Sequence, residues 1–437
     1  MKQLLSASLR ASALVVTLLG ATAASAQQSV VYIGWSQDEA ASKPTIGAMF
    51  KRYQDANPGT KLDVVGFPWA QMQQNLVLSY RSRQKVDVVQ IQERWLPGFE
   101  GMGALVDLNQ VYGKDYLESQ IDPGLLSLGR IGGKQAGLPW TAGSIGMVAN
   151  KQVLADAGVT KIPETVEEFT GALRAIKKAK PNSVPYALST KNAGSMSPDF
   201  QTWLWTFGGR VFDLNGTTAK DIVKIDSPEA RAALGYLVSL AKEGLVAPDV
   251  DRPDARRLFA QFDVGFYGDA PLARGFARNN SGKGAAYDVN VVAVATPVLK
   301  PGDTSRSVMW GHTLAMFKQA ATPQKGSAAA KLIDTLVFND DSQLAYFNEV
   351  GLFPVTKTAL AKVQNDAYVT TWVKNAGTAL RDEASPWPNA SDLTTVIGEE
   401  VQSAYLGIKP VDKAITDMAE RLRTEITQHL ANKPKGL

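Results

Sequence analysis

The chain of 437 residues contains no cysteine and only two histidines, His312 and His429. Without cysteine it can form no disulfide, and thiol catalysis, cysteine-ligated zinc and iron–sulfur clusters are excluded. Two histidines leave little room for a multi-histidine metal site or a histidine-based catalytic triad. These absences remove several large classes of enzyme, and we expect neither a metal nor another cofactor.

The chain also lacks an excess of charge of one sign. Its formal net charge is +4, and no long run of like charges occurs. Nucleic-acid-binding domains carry a concentrated basic surface, so no nucleic-acid partner is expected.

Recognisable catalytic motifs are missing as well. No G-x-G-x-x-G loop follows a predicted strand, residues 132–134 lack the remainder of a phosphate-binding loop, and residues 143–146 do not meet the G-x-S-x-G spacing. We therefore expect that the protein is not an enzyme. One enzymatic alternative stays open, because Glu93 and Asp269 could form the carboxylate pair of an exported glycoside hydrolase.

The N-terminus is typical of an export signal. Lys2 and Arg10 precede an apolar stretch at residues 11–20, and small residues end at Ala26. This order indicates a cleaved secretory signal peptide over residues 1–26. The apolar stretch is shorter than the roughly 20 residues that span a bilayer. We therefore expect release into the periplasm, and without an N-terminal cysteine we expect no lipid anchor.

Length and composition predict two lobes. The chain exceeds the roughly 100 to 200 residues of one domain, and 45% hydrophobic with 20% charged residues is typical of a soluble globular protein. Its first third alternates strand and helix patterns, with strands predicted at residues 29–34, 61–66 and 86–91. Such a βαβαβ series predicts a parallel sheet with helices on its faces.

Aromatic residues follow the predicted strands of this region. Trp35, Trp69 and the pair Glu93 and Trp95 come just after or near strand ends. In open α/β sheets, ligands bind beyond the carboxyl ends of the strands. We therefore expect at least two of these three positions to line a binding pocket, the alternative being that the tryptophans are core residues.

Residues 137–168 are the most informative stretch. A bend at residues 137–146 leads into an apolar strand at residues 145–149, and Thr165 and Glu168 have the spacing of a helix capping box. This segment resembles the signature of bacterial extracellular solute-binding proteins of family 1, the receptors of sugar-type ABC importers. Other segments extend the resemblance in the same order along the chain: Phe200 and Trp203, Gly265 and Gly268, Trp310 to His312, and Gly351 to Val355.

The resemblance implies an α/β fold of the type II-like periplasmic binding protein kind. Each of two lobes would be a mainly parallel sheet flanked by helices, with hinge crossings near residues 140, 300 and 345. On this basis we assign residues 27–140 and 298–345 to the N-terminal lobe, and residues 141–297 and 346–437 to the C-terminal lobe.

The resemblance also implies a function. The protein would capture a mono- or oligosaccharide in the cleft by hinge closure and deliver it, as a monomer, to the permease subunits of an ABC importer. Sugar sites combine flat aromatic rings with a few aligned polar groups. The predicted ligand-binding residues are Trp35, Gln37, Trp69, Glu93, Trp140, Trp203, Asp269, Trp310, Gly311 and His312. For His312, a purely structural role beside Trp310 is an equal alternative.

A second kind of ligand stays open. An anionic or polyol ligand, such as a glycerol phosphate ester, would need arginines or helix N-termini in the cleft. Arg94, Arg210 and Arg274 are the residues that keep this alternative in place.

Overall fold

The computed structural model describes residues 28–318, 323–363 and 366–431, so the predicted signal peptide lies outside the described residues. In these ranges no helix is both long and apolar enough to cross a membrane. The strands of the described chain are β1 (Gln28–Gly34), β2 (Thr60–Gly66), β3 (Val88–Gln92), β4 (Arg130–Ile131), β5 (Lys134–Gln135), β6 (Leu138–Asn150), β7 (Val184–Ala187), β8 (Val264–Asp269), β9 (Val291–Val294) and β10 (Val308–Met316).

The α-helices lie on both sides of the main sheet and between its strands. Within the described ranges they are α1 (Lys43–Ala56), α2 (Trp69–Arg81), α3 (Leu96–Gly101), α4 (Leu108–Tyr112), α5 (Lys114–Gln120), α6 (Pro123–Leu126), α7 (Lys151–Asp156), α8 (Val166–Ala179), α9 (Ala193–Thr206), α10 (Ala219–Ile222), α11 (Pro228–Lys242), α12 (Arg252–Ala260), α13 (Ala273–Ser281), α14 (Ala328–Ile333), α15 (Asp340–Val350), α16 (Lys357–Leu360), α17 (Ala367–Gly377), α18 (Ala390–Tyr405) and α19 (Val411–Ala431).

The N-terminal lobe follows the predicted βαβαβ series. β1 pairs in parallel with both β2 and β3, which gives the strand order β2-β1-β3. Helix α1 buries Ile46, Met49, Phe50 and Tyr53, which recur at the spacing of one helix face. The strands and helices predicted from this spacing are confirmed.

Two long strands join the lobes. β6 pairs antiparallel with β10 from Leu138 to Ile145, and with β8 and β9 from Gly146 to Asn150. β10 also pairs with β3, and β7 runs parallel to β8 at the other end. One sheet therefore spans both lobes, with parallel pairs outside and antiparallel crossing strands in the middle. The predicted two-lobed α/β architecture is confirmed.

The predicted bend at residues 137–146 is wrong, because most of these residues belong to the continuous strand β6. The pairing register with β10 shifts between His312 and Thr313, which leaves Trp140 as an extra residue opposite that step. A bulge of this kind tolerates Pro139, which has no N–H to donate to a neighbouring strand.

Beyond residue 345 the chain contacts both the crossing strand β6 and helix α5. Phe353 exchanges two backbone hydrogen bonds of 3.0 Å with Ala142 in the crossing strand β6, and the Lys357 Nζ donates to the Glu118 carbonyl at 2.7 Å. Further along the chain, α17 packs on β6 and β9.

Local capping signals mark the starts of two helices in the C-terminal lobe. The capping box of Thr165 and Glu168 is present at the start of α8, as predicted. Helix α11 is capped by Ser227, whose side chain accepts a hydrogen bond from the Ala230 N–H.

Gly311 lies where β10 and β6 come too close for a side chain. A Cβ at this position would collide with the carbonyl oxygen of Thr141. We expect Gly311→Ala to lower the free energy of unfolding by about 1–3 kcal/mol, since a backbone clash between paired strands must be relieved by displacement. Urea unfolding followed by circular dichroism measures this change.

Gly47 provides the matched control for that substitution. It is exposed on α1, and nothing lies within 4 Å of an added Cβ. Gly47→Ala should stabilise the protein by roughly 0.5–1 kcal/mol, because alanine is the better helix residue. Equal stabilities of the two variants would contradict the close strand contact at Gly311.

Candidate functional site

A cavity of about 210 Å³ lies between the lobes, beyond the carboxyl ends of β1, β3 and β8. The N-terminal lobe contributes Trp35, which follows β1, and Trp69, which begins α2. The C-terminal lobe contributes Asp269 at the end of β8. The crossing strand β10 adds Trp310 and His312. This position agrees with the rule that ligands of open α/β sheets bind beyond the strand ends.

Aromatic rings form one side of the cavity. The His312 ring packs edge-to-face against Trp310 and Trp35, with ring centroids 4.7 and 4.8 Å apart. The ring centroids of Trp69 and Trp95 are 6.2 Å apart, and Phe276 of α13 also lines the cavity. Flat rings arranged this way offer apolar faces to a ligand while their edges are held by neighbouring rings.

Paired charges form the wall from the C-terminal lobe. Arg256 donates two hydrogen bonds to Asp269, of 2.8 and 2.9 Å, in a fork geometry. One turn earlier on α12, Arg252 donates to the Gly268 carbonyl at 3.0 Å and pairs with Asp199. Although burial works to raise it, the pKa of Asp269 lies below its ordinary value because Arg256 faces it. Asp269 is therefore ionised throughout the neutral range.

Charges of both signs balance around the cavity. The lining cations are Arg94, Arg252 and Arg256, and the lining anions are Glu39 and Asp269. Asp199 lies behind the lining and neutralises Arg252. The pKa of Glu39 lies above its ordinary value, because the effect of burial exceeds the lowering effect of Arg256. The site thus offers many donors and acceptors with little net charge.

Several of the predicted ligand-binding residues line this cavity. They are Trp35, Trp69, Asp269, Trp310 and His312. The structure brings them together from four separate elements, although they are spread over more than half of the sequence.

Other predicted residues lie outside the cavity lining. Gln37 donates to the carbonyls of Gly34 and Val65 at 2.8 and 2.9 Å and ties β1 to β2. Gly311 lies in the strand contact with Thr141 described above.

Two predicted tryptophans are in the core. Trp140 is fully buried, with its indole N–H donating to the Leu336 carbonyl at 3.1 Å. Trp203 lies on α9, and its indole N–H donates to the Tyr186 hydroxyl at 3.2 Å. In both cases a protein group already accepts the hydrogen bond of the indole N–H. Both tryptophans are therefore core residues, which is the alternative given in the sequence analysis.

Glu93 is buried beside the cavity rather than in its wall. Its side-chain Oε2 has no hydrogen-bond partner in the described parts of the chain. Burial raises the pKa of Glu93 to about 7, against the lowering effect of Arg94 and Arg381. Glu93 therefore binds a proton in the folded state at pH values where it is ionised in the unfolded state, for which the ordinary value is 4.5.

This shift predicts a pH-dependent stability. Between about pH 4.5 and 7 the folded state binds the extra proton, so the free energy of unfolding contributed by Glu93 falls as pH rises. Glu93→Gln removes the ionisation, and at pH 8 it should be more stable than the parent by on the order of 3 kcal/mol. Urea unfolding at pH 5, 6.5 and 8 measures the difference.

The control for Glu93→Gln is Glu167→Gln, at an exposed position of α8. Its loss of charge should leave the pH dependence of stability unchanged. If the Glu93 variant and the parent lose stability in parallel from pH 5 to pH 8, the raised pKa of Glu93 is refuted.

Three important lining residues had no part in the prediction from sequence. Arg252 and Arg256 stand four residues apart on one helix face, and Phe276 follows on α13. The four-residue spacing was a usable signal, but the carboxylates that receive these arginines come from other elements.

The arginines of the anionic alternative are divided. Arg94 lines the cavity, with its guanidinium 5.8 Å from the Trp69 ring centroid. Arg210 lies 3.5 Å from Glu383, and Arg274 pairs with Asp366, both away from the cavity lining. In the described residues, no group of three or more histidine, aspartate or glutamate side chains is placed to hold a metal ion.

An α/β fold of two lobes, joined by crossing strands and enclosing a cavity between them, defines a two-lobed binding protein. The family model described as bacterial extracellular solute-binding protein matches residues 37–343. The chain belongs to this family of solute-binding proteins.

Known proteins similar to this chain span nearly all of it. A protein of Brucella abortus (strain 2308), named only as a binding protein, is 26% identical over 416 residues, which cover 92% of this chain and 94% of that protein. The fold matches maltose-bound MalE3 of T. maritima with a TM-score of 0.76 and 22% identity, over 91% and 99% of the two chains. A Thermotoga lettingae solute-binding protein bound with α-D-tagatose gives a TM-score of 0.77 and 21% identity, also over 91% and 99%.

Proposed function

We propose that this protein is the periplasmic receptor of an ABC importer and captures a neutral sugar in the cavity between its lobes. The observation that carries the proposal is the combination of tryptophan faces with charge-balanced, hydrogen-bonding side chains in one cavity. The proposal also includes release into the periplasm, action as a monomer, and delivery of the sugar to membrane permease subunits.

The chemistry of the cavity suits a sugar. A pyranose or furanose ring presents an apolar C–H face, which packs on an aromatic ring, and hydroxyl groups that both donate and accept hydrogen bonds. The fork of Arg256 and Asp269 offers both roles at fixed positions. Because Arg252 and Arg256 are already paired with Asp199 and Asp269, a neutral ligand leaves none of these four charges without a partner.

The size of the cavity favours a small sugar. About 210 Å³ is less than the roughly 300–1,000 Å³ of pockets that hold drug-sized ligands. One or two sugar rings are therefore the favoured occupants. Two similar proteins support this class, since their structures are described as bound with maltose and with α-D-tagatose.

Binding would close the lobes. Trp35 and Trp69 belong to the N-terminal lobe, whereas Arg256 and Asp269 belong to the C-terminal lobe. A ligand that contacts both sets stabilises the closed state over the open one, which is a population shift about the crossing strands.

The site chemistry argues against Glu93 and Asp269 as the acid–base pair of a glycoside hydrolase. Asp269 is held ionised by Arg256, and Glu93 lies outside the cavity lining. A hydrolase needs one carboxyl group able to give a proton to the leaving oxygen, and a second on the other side of the bond. The proposed acid–base pair therefore has no acid in the cavity.

A thermal-shift screen of the mature chain, residues 27–437, tests the proposal. The panel contains maltose, D-tagatose, D-glucose, glycerol 3-phosphate and D-galacturonate. A neutral sugar should raise the melting temperature in a concentration-dependent way, because ligand at 100 times its Kd stabilises the folded state by about 2.7 kcal/mol. A rise with only the anionic compounds would contradict the neutral-sugar proposal, and release of glucose from maltose would contradict the binding role.

A further inference from the structure

The side chain of Gln90 connects the N-terminal lobe to His312. Gln90 is fully buried on β3, and its terminal amide lies 3.1 Å from the His312 Nδ1. Across the strand pair, β3 and β10 are neighbours in the central sheet. The contact therefore joins two rigid strands and fixes the edge of the imidazole ring.

The orientation of the Gln90 amide is determined by its other partners. Its Oε1 accepts hydrogen bonds from the backbone N–H groups of Trp35 and Ser36, both at 3.1 Å. Backbone N–H groups can only donate, so the atom facing them must be the oxygen. The atom facing His312 is consequently the amide nitrogen, which also donates to the Ser36 Oγ at 2.6 Å.

An amide nitrogen can only donate, and this decides the state of the imidazole. The His312 Nδ1 must accept the hydrogen bond, so it carries no proton. Burial lowers the pKa of His312 to about 3, and the ring is neutral at ordinary pH. The single ring proton is then on Nε2.

The His312 ring is one of the side chains that line the cavity. His312 lines it between the rings of Trp35 and Trp310. Throughout the described chain, Gln90 is the only group found to hydrogen-bond a side-chain nitrogen of His312. The remaining N–H is therefore the polar group that the imidazole can offer to a ligand.

We propose that Gln90 is a positioning residue that holds His312 in the Nε2–H form, so that the cavity presents a hydrogen-bond donor at this point. Resting on the proposed function, the inference adds a requirement on the sugar: it must place an acceptor oxygen against His312. A ligand group that can only donate, such as an ammonium, is rejected there because two donors would face each other in a buried site.

Nitrogen-15 NMR of histidine-labelled protein tests the inference. Long-range correlation spectra distinguish a protonated from an unprotonated ring nitrogen, and His429→Asn removes the only other histidine signal. For His312 we expect a protonated Nε2 and an unprotonated Nδ1, unchanged from pH 5 to pH 8. A proton on Nδ1, or a mixture of both forms, would overturn the assignment.

Gln90→Glu separates positioning from simple burial. An ionised carboxylate cannot donate to Nδ1, so a proton should appear on Nδ1 of His312 at pH 8, where the control is also measured. Gln92→Glu is the matched control, because Gln92 is also buried on β3 and lines the cavity without a hydrogen bond to the imidazole. In the Gln92→Glu variant, Nδ1 of His312 should remain unprotonated at pH 8. A Gln90→Glu spectrum identical to that of the parent would refute the role of Gln90.

The ligand part of the inference is read from the same spectra with maltose and D-tagatose as probes. A sugar that raises the melting temperature should also shift the His312 Nε2–H resonance. If the melting temperature rises and this resonance does not move, the donor role toward the sugar is wrong. If neither sugar raises the melting temperature, these two sugars are not ligands of the protein. The tautomer of His312 then still decides the role of Gln90.

Discussion

Arg256→Ala is expected to lower the free energy of unfolding by about 3–5 kcal/mol at pH 7, because it leaves a buried carboxylate without its partner. Asp269 is only 1% exposed and receives both hydrogen bonds of the Arg256 fork. The variant also loses the contact of the guanidinium with the Phe276 ring, 3.9 Å from its centroid. Since the same residues form one wall of the cavity, sugar binding should be lost as well.

Arg257→Ala is the neighbouring control. Arg257 is on the same helix, but its side chain is 55% exposed and its ion pair with Asp254 is long, at 3.8 Å. Exposed pairs contribute little, so a change below about 1 kcal/mol is expected. Urea unfolding of both variants measures the contrast.

The effect of Arg256→Ala should depend on pH with a definite sign. Arg256 holds the pKa of Asp269 low in the parent protein, so its contribution to stability is present above the ordinary value of 3.8 and is lost as pH falls. In the variant, Asp269 can relieve its unpaired charge by binding a proton. The stability gap between the two proteins should therefore narrow toward pH 4, and a gap that widens would contradict the ion pair.

Trp310→Ala is expected to weaken sugar binding by at least about 30-fold, which corresponds to roughly 2 kcal/mol. Trp310 lies on the crossing strand β10 and lines the cavity, and its ring packs edge-to-face with the His312 ring. The substitution removes an apolar ring face and leaves the ion pairs of Arg252 and Arg256 in place. Isothermal titration with the sugar that gives the largest thermal shift measures the loss.

Phe207→Ala serves as the aromatic control for Trp310→Ala. Phe207 is half-buried on the C-terminal lobe and packs on Tyr236 at 5.7 Å, outside the cavity lining. Its removal should reduce stability while leaving affinity within about twofold, since it touches no binding residue. Equal losses of affinity in both variants would mean that the sugar does not bind beside Trp310.

The parts of the fold that local patterns determine could be predicted from the sequence. The apolar spacing of α1, the alternation of β1 to β3 and the capping box of α8 each depend on residues within one turn or one strand. The bend assigned to residues 137–146 could not be judged this way. The partner strand that makes this stretch a bulged β6 lies about 170 residues later, and its pairing cannot be read from the stretch itself.

The site was predictable to the extent that it follows strand ends. Trp35, Trp69 and Asp269 stand at or after strand ends in the sequence, and the structure places them around one cavity. The direction in which a tryptophan faces is set by tertiary packing, so Trp140 and Trp203 could not be separated from them by pattern. Their indole N–H groups donate to the Leu336 carbonyl and the Tyr186 hydroxyl, which belong to other elements of the fold.

The charged wall depended on pairings that no spacing reveals. Arg252 and Arg256 are one turn apart, but Asp199 comes from α9 and Asp269 from β8. Only the folded sheet brings these carboxylates to the helix. The fork of Arg256, and with it the charge balance that favours a neutral sugar, therefore emerges from the structure rather than from the sequence.

The most direct test of the proposed mechanism is the distance between the lobes, with and without sugar. Because the chain has no native cysteine, a variant with Ala70→Cys and Thr395→Cys carries spin labels at these two positions alone. Both residues are exposed, on α2 and α18, on opposite sides of a second cavity beside Trp69. Double electron–electron resonance should give a shorter and narrower distribution of the distance between the two labels once a sugar that raises the melting temperature is added. A distribution that stays unchanged at saturating sugar would contradict capture by closure of the two lobes.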